Sequence, residues 1–207
     1  MKNISLLISV VLLVSCPIVS FSQIVAPTGN EYTEANADNI FIPNKPANGW
    51  YLDKNKVKKE ALMMFSLKSK KIHIFINNKT LVLNDHVTEF GFFQEDGLER
   101  KFQFLDYPKK DYFEIIGKES PVILFINYSQ YESQNNNYGE VANSVNKLET
   151  TYYIKTNSTF EKIRLNKKDF LKKFPENPNL DIYLKNHKIE TKDLKNIYNL
   201  IEVLNQK

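Results

Sequence analysis

Residues 87–128 read VTEFGFFQEDGLERKFQFLDYPKKDYFEIIGKESPVILFINY, and the spacing of their apolar side chains decides the fold. Apolar residues alternate with polar ones over runs of five to seven, the period of a pleated strand rather than of a helix. The runs Val87 to Phe93, Arg100 to Leu105, Tyr112 to Ile116 and Val122 to Tyr128 are expected to be strands. Between them lie Glu95-Asp96-Gly97, Tyr107-Pro108 and Gly117-Lys118-Glu119-Ser120-Pro121, which carry turn chemistry. The run Val122 to Ile126 is apolar on both faces, which places it inside the fold.

Working outward, the same grammar holds on both sides. Trp50 to Leu52 opens a strand, and Val57 to Phe65 is read as strand by its neighbours. Lys71 to Ile76 puts Ile72, Ile74 and Ile76 on one face, and Asn77-Asn78-Lys79 turns it into Thr80 to Leu83 as a hairpin. A polar stretch from Ser129 to Lys147 reads as a long loop, before a last hairpin through Thr150 to Lys155 and Phe160 to Leu165. Helix chemistry comes only at the end. Asn166 caps a short helix through Phe174, which Pro175 and Pro178 stop, and Thr191 caps a longer one to about Asn205. Leu194, Ile197, Tyr198, Ile201 and Leu204 form its apolar stripe. The expectation is an α+β fold: an antiparallel β-sandwich or partial barrel of about eight to ten strands with two C-terminal helices packed on it.

The first residues read as a leader. Lys2 precedes an apolar run from Ile4 to Val19, and the small residues Ser20 and Ser22 suit signal peptidase, giving a mature chain that starts at Gln23. Pro17 and several serines make the run too broken for a membrane anchor. The alternative is a lipobox, Leu13-Val14-Ser15-Cys16, with a lipid anchor at Cys16. The expected organisation is a signal peptide over 1–22, an extended arm over 23–48, a β-rich domain over 49–165 and a helical segment over 166–207. An apolar island at Ile40 to Ile42 would pin the arm to the sheet as an edge strand.

Composition then excludes several chemistries. Cys16 is the only cysteine, so a mature chain from Gln23 has no disulfide, thiol nucleophile or cysteine metal site. The formal charge is +4, and Arg100 and Arg164 are the only arginines among many lysines, which argues against a nucleic-acid partner. His73, His86 and His187 lack metal-ligand spacing, so no metal or cofactor is expected. Asp85-His86 reads as a turn, and Glu89, Glu95, Asp96, Glu99 and Asp106 as turns and solvated strand faces rather than a catalytic pair. Two lysine runs, Lys54 to Lys59 and Lys68 to Lys71, read as protection of strand edges. Aromatic residues are plentiful, and most serve a sheet core. A stacking surface for a sugar, peptide or lipid would be sought first at Trp50 and Tyr51.

Gly49-Trp50-Tyr51-Leu52, the Phe90-Gly91-Phe92-Phe93 strand and the closing pattern from Tyr152-Tyr153-Ile154 to Asp193-Leu194 and Leu204-Asn205 carry a family likeness. On them the chain resembles a loose class of exported β-rich proteins of Bacteroidetes-type bacteria. Those relatives often carry Cys-Pro where this chain has Phe174-Pro175. The resemblance implies export and fold and no activity. The expected function is a non-enzymatic binding or structural module of the cell envelope, periplasmic or secreted, or an outer-membrane lipoprotein, meeting a protein, glycan or lipid. A periplasmic carrier of a hydrophobic ligand and a hydrolase with an unfamiliar site are the alternatives.

Overall fold

The computed structural model describes residues 31–32, 39–77, 79–84, 87–134, 144–189 and 193–206. The leader, Cys16, Gln23, Asp85-His86 and Thr191 lie outside the described residues. Eleven strands form one antiparallel sheet: β1 (Glu31–Tyr32), β2 (Phe41–Leu52), β3 (Lys58–Ser66), β4 (Ile72–Ile76), β5 (Lys79–Val82), β6 (Glu89–Phe93), β7 (Glu99–Leu105), β8 (Asp111–Ile116), β9 (Ile123–Gln134), β10 (Ser144–Lys155) and β11 (Phe160–Ile163). Three helices follow: α1 (Lys167–Lys173), α2 (Pro178–Asn186) and α3 (Leu194–Asn205). The architecture is the expected α+β one. Among the described residues no helix is long and apolar enough to cross a membrane.

The strand order β1-β5-β4-β3-β2-β6-β7-β8-β9-β10-β11 makes two meanders that share β2. The chain runs from β2 out to β5, then returns to the other side of β2 and runs out again to β11. The sheet is open in pairing but curls on itself. Phe65 on β3 and Tyr112 on β8 lie four strands apart, about 19 Å in a flat sheet, yet their rings are 5.1 Å apart. Lys70, in the β3–β4 turn at φ 56°, reaches the carbonyl of Tyr128 at 3.1 Å and the carboxylate of Asp111. At the same end, Gln130 accepts a hydrogen bond from the backbone of Ile40.

One large core fills the concave side. Phe65, Phe90, Phe102 and Tyr112 interlock, with Phe90 and Phe102 stacked at 4.9 Å and nearly parallel. Phe170, Leu180, Leu184, Ile197, Leu200, Ile201 and Leu204 of the helices belong to the same cluster. Each fully buried aliphatic or aromatic side chain of this kind stabilises the fold by about 1.5–3 kcal/mol. The helices are therefore the concave face's cover.

Several expectations need correction. Among the described residues there are three helices, not two, because Pro178 starts α2 instead of only ending α1: it occupies the first turn, where its missing N–H costs nothing, and Asn177 caps Leu180. The long helix is capped by Asp193, whose side chain accepts from Asn196. Its buried face also takes in Leu200. The polar stretch 129–147 is not simply a loop, since β9 and β10 pair from Ile123↔Lys155 out to Gln134↔Ser144. The island at Ile40 to Ile42 is the start of β2, where Phe41 and Ile42 pair with Ser66 and Phe65 on one side; only further on, at Gly49 to Tyr51, does the strand gain β6 on the other. Residues 43–46, including Pro43 and Pro46, bulge between Ile42 and Ala47, as strand prolines must. Lys58 and Lys59 begin β3 ahead of its pairing with β4, which starts at Leu62, so there they pair with β2 alone.

The shared strand β2 depends on two glycines. A Cβ on Gly49 would stand 2.4 Å from the Gly91 carbonyl, and one on Gly91 would stand 2.8 Å from the Trp50 indole nitrogen. The Gly-aromatic stretches at 49–52 and 90–93 meet here as direct partners, Gly49↔Phe92, Trp50↔Gly91 and Tyr51↔Phe90. Gly49→Ala and Gly91→Ala are each expected to cost about 3 kcal/mol by overpacking against backbone and indole. Gly97→Ala, at φ 82° but with nothing within 4 Å of the added carbon, should cost about 1 kcal/mol. Urea denaturation of the three variants checks this order.

Candidate functional site

Trp50 and Tyr51 are neighbours on a strand and so point to opposite faces. Tyr51 joins the concave core, while Trp50 lies on the outer face over Gly91. The indole N–H of Trp50 donates to Glu99 at 2.7 Å, and the Lys58 ammonium sits 5.2 Å from its ring centre. Both side chains are less than a tenth exposed. They form no common surface, and each holds the β2–β6 seam.

Other residues singled out by sequence are dispersed. Glu89 pairs with Lys118, Glu95 with Lys45 and Glu99 with Lys101, so the carboxylates do not converge. His73 is buried against the edge of Phe41 on the outer face, and burial, with Lys71 adding, holds its pKa below the usual imidazole range. His187 stacks on Tyr183 at the end of α2. Among the described residues no three His, Cys, Asp or Glu side chains gather as metal ligands would.

Two constellations emerge instead. The first is polar and sealed between the sheet and α3. Arg100 on β7 makes a two-pronged contact with Glu114 on β8, Nε to Oε1 at 2.9 Å and Nη2 to Oε2 at 2.7 Å. The Tyr128 hydroxyl donates to Glu114 at 2.6 Å and accepts from Arg100 at 3.1 Å. From α3, the Tyr198 hydroxyl lies 3.2 Å from the Glu99 carbonyl and 3.4 Å from Glu114. Glu114 is wholly buried. Burial alone would lower the Arg100 pKa, but the charge and hydrogen bonds of Glu114 more than offset it and the guanidinium is held charged. Burial, then the Glu114 charge, raises the pKa of both tyrosines. A carboxylate so occupied and so far from solvent is a poor general acid or base. Its geometry is that of a latch orienting α3.

The second constellation is apolar and lies on the opposite, convex face of β7 to β11. Phe113, Ile115 and Phe125 form its floor, with Leu105, Ile123, Tyr153 and Phe160 packed against them. The helices have no part in this cluster. Its rings run in sequence from Phe113 to Tyr153 at 5.9 Å, Tyr153 to Phe160 at 5.7 Å and Phe160 to Tyr107 at 5.6 Å. Tyr107 is 69% exposed, and Tyr153 and Phe160 are half-buried.

Sequence reasoning missed both groups, yet each left a trace. Arg100 shares strand parity with Phe102, and Glu114 shares it with Tyr112 and Ile116, so a charge at each inward position called for a partner. Phe113, Ile115 and Phe125 show as apolar residues at the outward positions of β8 and β9. No family model matches the chain, and no match is found among curated proteins or solved structures.

If Arg100 and Glu114 are a structural pair, breaking it by Glu114→Gln or Arg100→Met costs about 3–5 kcal/mol, because one charge is left buried alone. The double variant Arg100→Met/Glu114→Leu recovers most of that loss. A double-mutant cycle by urea denaturation reads both outcomes.

Proposed function

We propose that this chain is an exported, non-enzymatic binding or structural module of the bacterial cell envelope, which meets its partner through the convex face of β7 to β11. The leader read in residues 1–22 and the resemblance to exported β-rich proteins support export. The observation that carries the binding role is the contrast between the two faces of one sheet. The concave face is covered by the chain's own helices and filled by Phe65, Phe90, Phe92 and Phe102. The convex face keeps a row of aromatic rings without a helix over it.

A carrier needs its apolar volume inside the curl, where this chain puts phenylalanine rings, so the packing favours the module. A hydrolase needs polar groups converging in an open cleft, and the convergent group here is the sealed Arg100–Glu114 pair. The partner is a protein, glycan or lipid of the envelope.

The test uses cells producing the full-length chain with a photo-crosslinking benzoylphenylalanine at position 107, or at position 182 on the exposed outer turn of α2 as control. The expected result is a mature chain in the envelope or medium, starting at Gln23 or at a lipidated Cys16, with adducts from position 107 and not 182. Intact precursor in the cytosol, or equal adducts from both positions, contradicts the reading.

A further inference from the structure

The register of the last hairpin adds charge to the aromatic row in a fixed pattern. Lys162 on β11 stands directly across from Tyr153, and Lys155 on β10 directly across from Phe160. Residues directly opposed in an antiparallel ladder point to the same side of the sheet with their Cβ atoms about 5 Å apart. Each accessible ring of the strand ladder therefore has a lysine beside it on the convex face. Both lysines are exposed, and among the described residues neither has a carboxylate within ion-pair distance. Tyr107 extends the row beyond Phe160 from the β7–β8 turn. Below them Phe113 is wholly buried and fixes the rings from beneath, so little ordering remains to be done on binding.

We infer that this face binds an anionic glycan, with sugar rings stacked along Tyr153, Phe160 and Tyr107 and their carboxylate or phosphate groups paired to Lys155 and Lys162. The inference rests on the binding reading above and names the partner's chemistry. Three features select this occupant. The C–H face of a sugar ring carries slight positive charge and sits well on the negative face of an aromatic ring. The accessible rings Tyr153, Phe160 and Tyr107 follow one another at 5.7 and 5.6 Å, on the scale of successive units of a linear polymer. Lysines set between aromatics are unlike the core of a protein–protein interface, where lysine is depleted. Rings packed on Phe113, Phe125 and one another also differ from the freely protruding apolar side chains that enter a lipid surface.

The purified mature chain is titrated calorimetrically with polygalacturonate oligomers, with neutral dextran and with phosphatidylglycerol vesicles. Polygalacturonate is expected to bind and dextran to fail. The double charge reversal Lys155→Glu/Lys162→Glu should weaken polygalacturonate at least about tenfold, as should Tyr107→Ala, which removes an exposed ring without touching the core. Raising salt should weaken it as well, since exposed charges are screened. Trp50→Phe, at the β2–β6 seam and outside the β7–β11 row, should bind as the parent does. Equal binding by the charge-reversed chain overturns the inference. So does binding of vesicles but not polymer, or of neither, by protein that melts cooperatively. These last outcomes leave the module reading to the crosslinking result at position 107, so the two fail separately.

Discussion

The docking of α3 on the concave side of β7 to β9 is the contact on which the remaining structure depends. Ile197, Leu200, Ile201 and Leu204 supply the apolar part. Directional contacts then fix the register. Asn205 accepts from the Val122 backbone N–H and donates to its carbonyl, each at 2.9 Å, which binds the end of the helix to the start of β9. Gly117 lets the helix come close, since a Cβ there would stand 3.1 Å from Ile201. Tyr198 reaches the Glu99 carbonyl and the Arg100–Glu114 pair. A mismatched helix would leave that buried carboxylate short of a partner, which is far costlier than losing one apolar contact.

Closing one face in this way decides what the other can do. A sheet whose strands alternate apolar and polar needs one cover, but β8 and β9 are apolar on both sides, and the chain has helices for one. The convex cluster is consequently protected by its own rings, Tyr153 and Phe160 lying over Phe113 and Phe125. Such a surface is stable enough to persist and apolar enough to attract a partner. The edge beside it is short and charged: β11 has four residues, Glu161 and Lys162 among them, and Lys173 from α1 pairs with Glu161. That composition discourages pairing with another strand and leaves the face, rather than the edge, as the accessible feature.

Much of this was legible in the residues alone. Period-two alternation found β4 and β6 to β8, because burial on one face writes itself directly into the sequence, while β3 was read from its neighbours and only Trp50 to Leu52 of β2 was found. The outer half of β9 escaped, since Ser129, Gln130, Glu132 and Ser133 bury nothing apolar and are held by the backbone ladder to β10. The helix at Pro178 escaped because proline both ends and begins helices, and Asn177 as its cap is the cue that distinguishes the two. Trp50 and Tyr51 are adjacent in sequence and separated by the thickness of the sheet, so their pairing as a surface does not survive the pleat. The convex row joins Tyr107, Phe113, Tyr153 and Phe160 from three strands and a turn, and only pairing registers bring them together.

The central claim is that the concave face is filled by the protein itself and that recognition belongs to the convex face. The most direct measurement is mass spectrometry of the purified chain before and after organic extraction, with analysis of the extract for lipids. The account predicts the same mass before and after extraction, with no free lipid recovered in proportion to protein. A hydrophobic molecule recovered at one per chain would mean that the curl of the sheet is a container, and would contradict it.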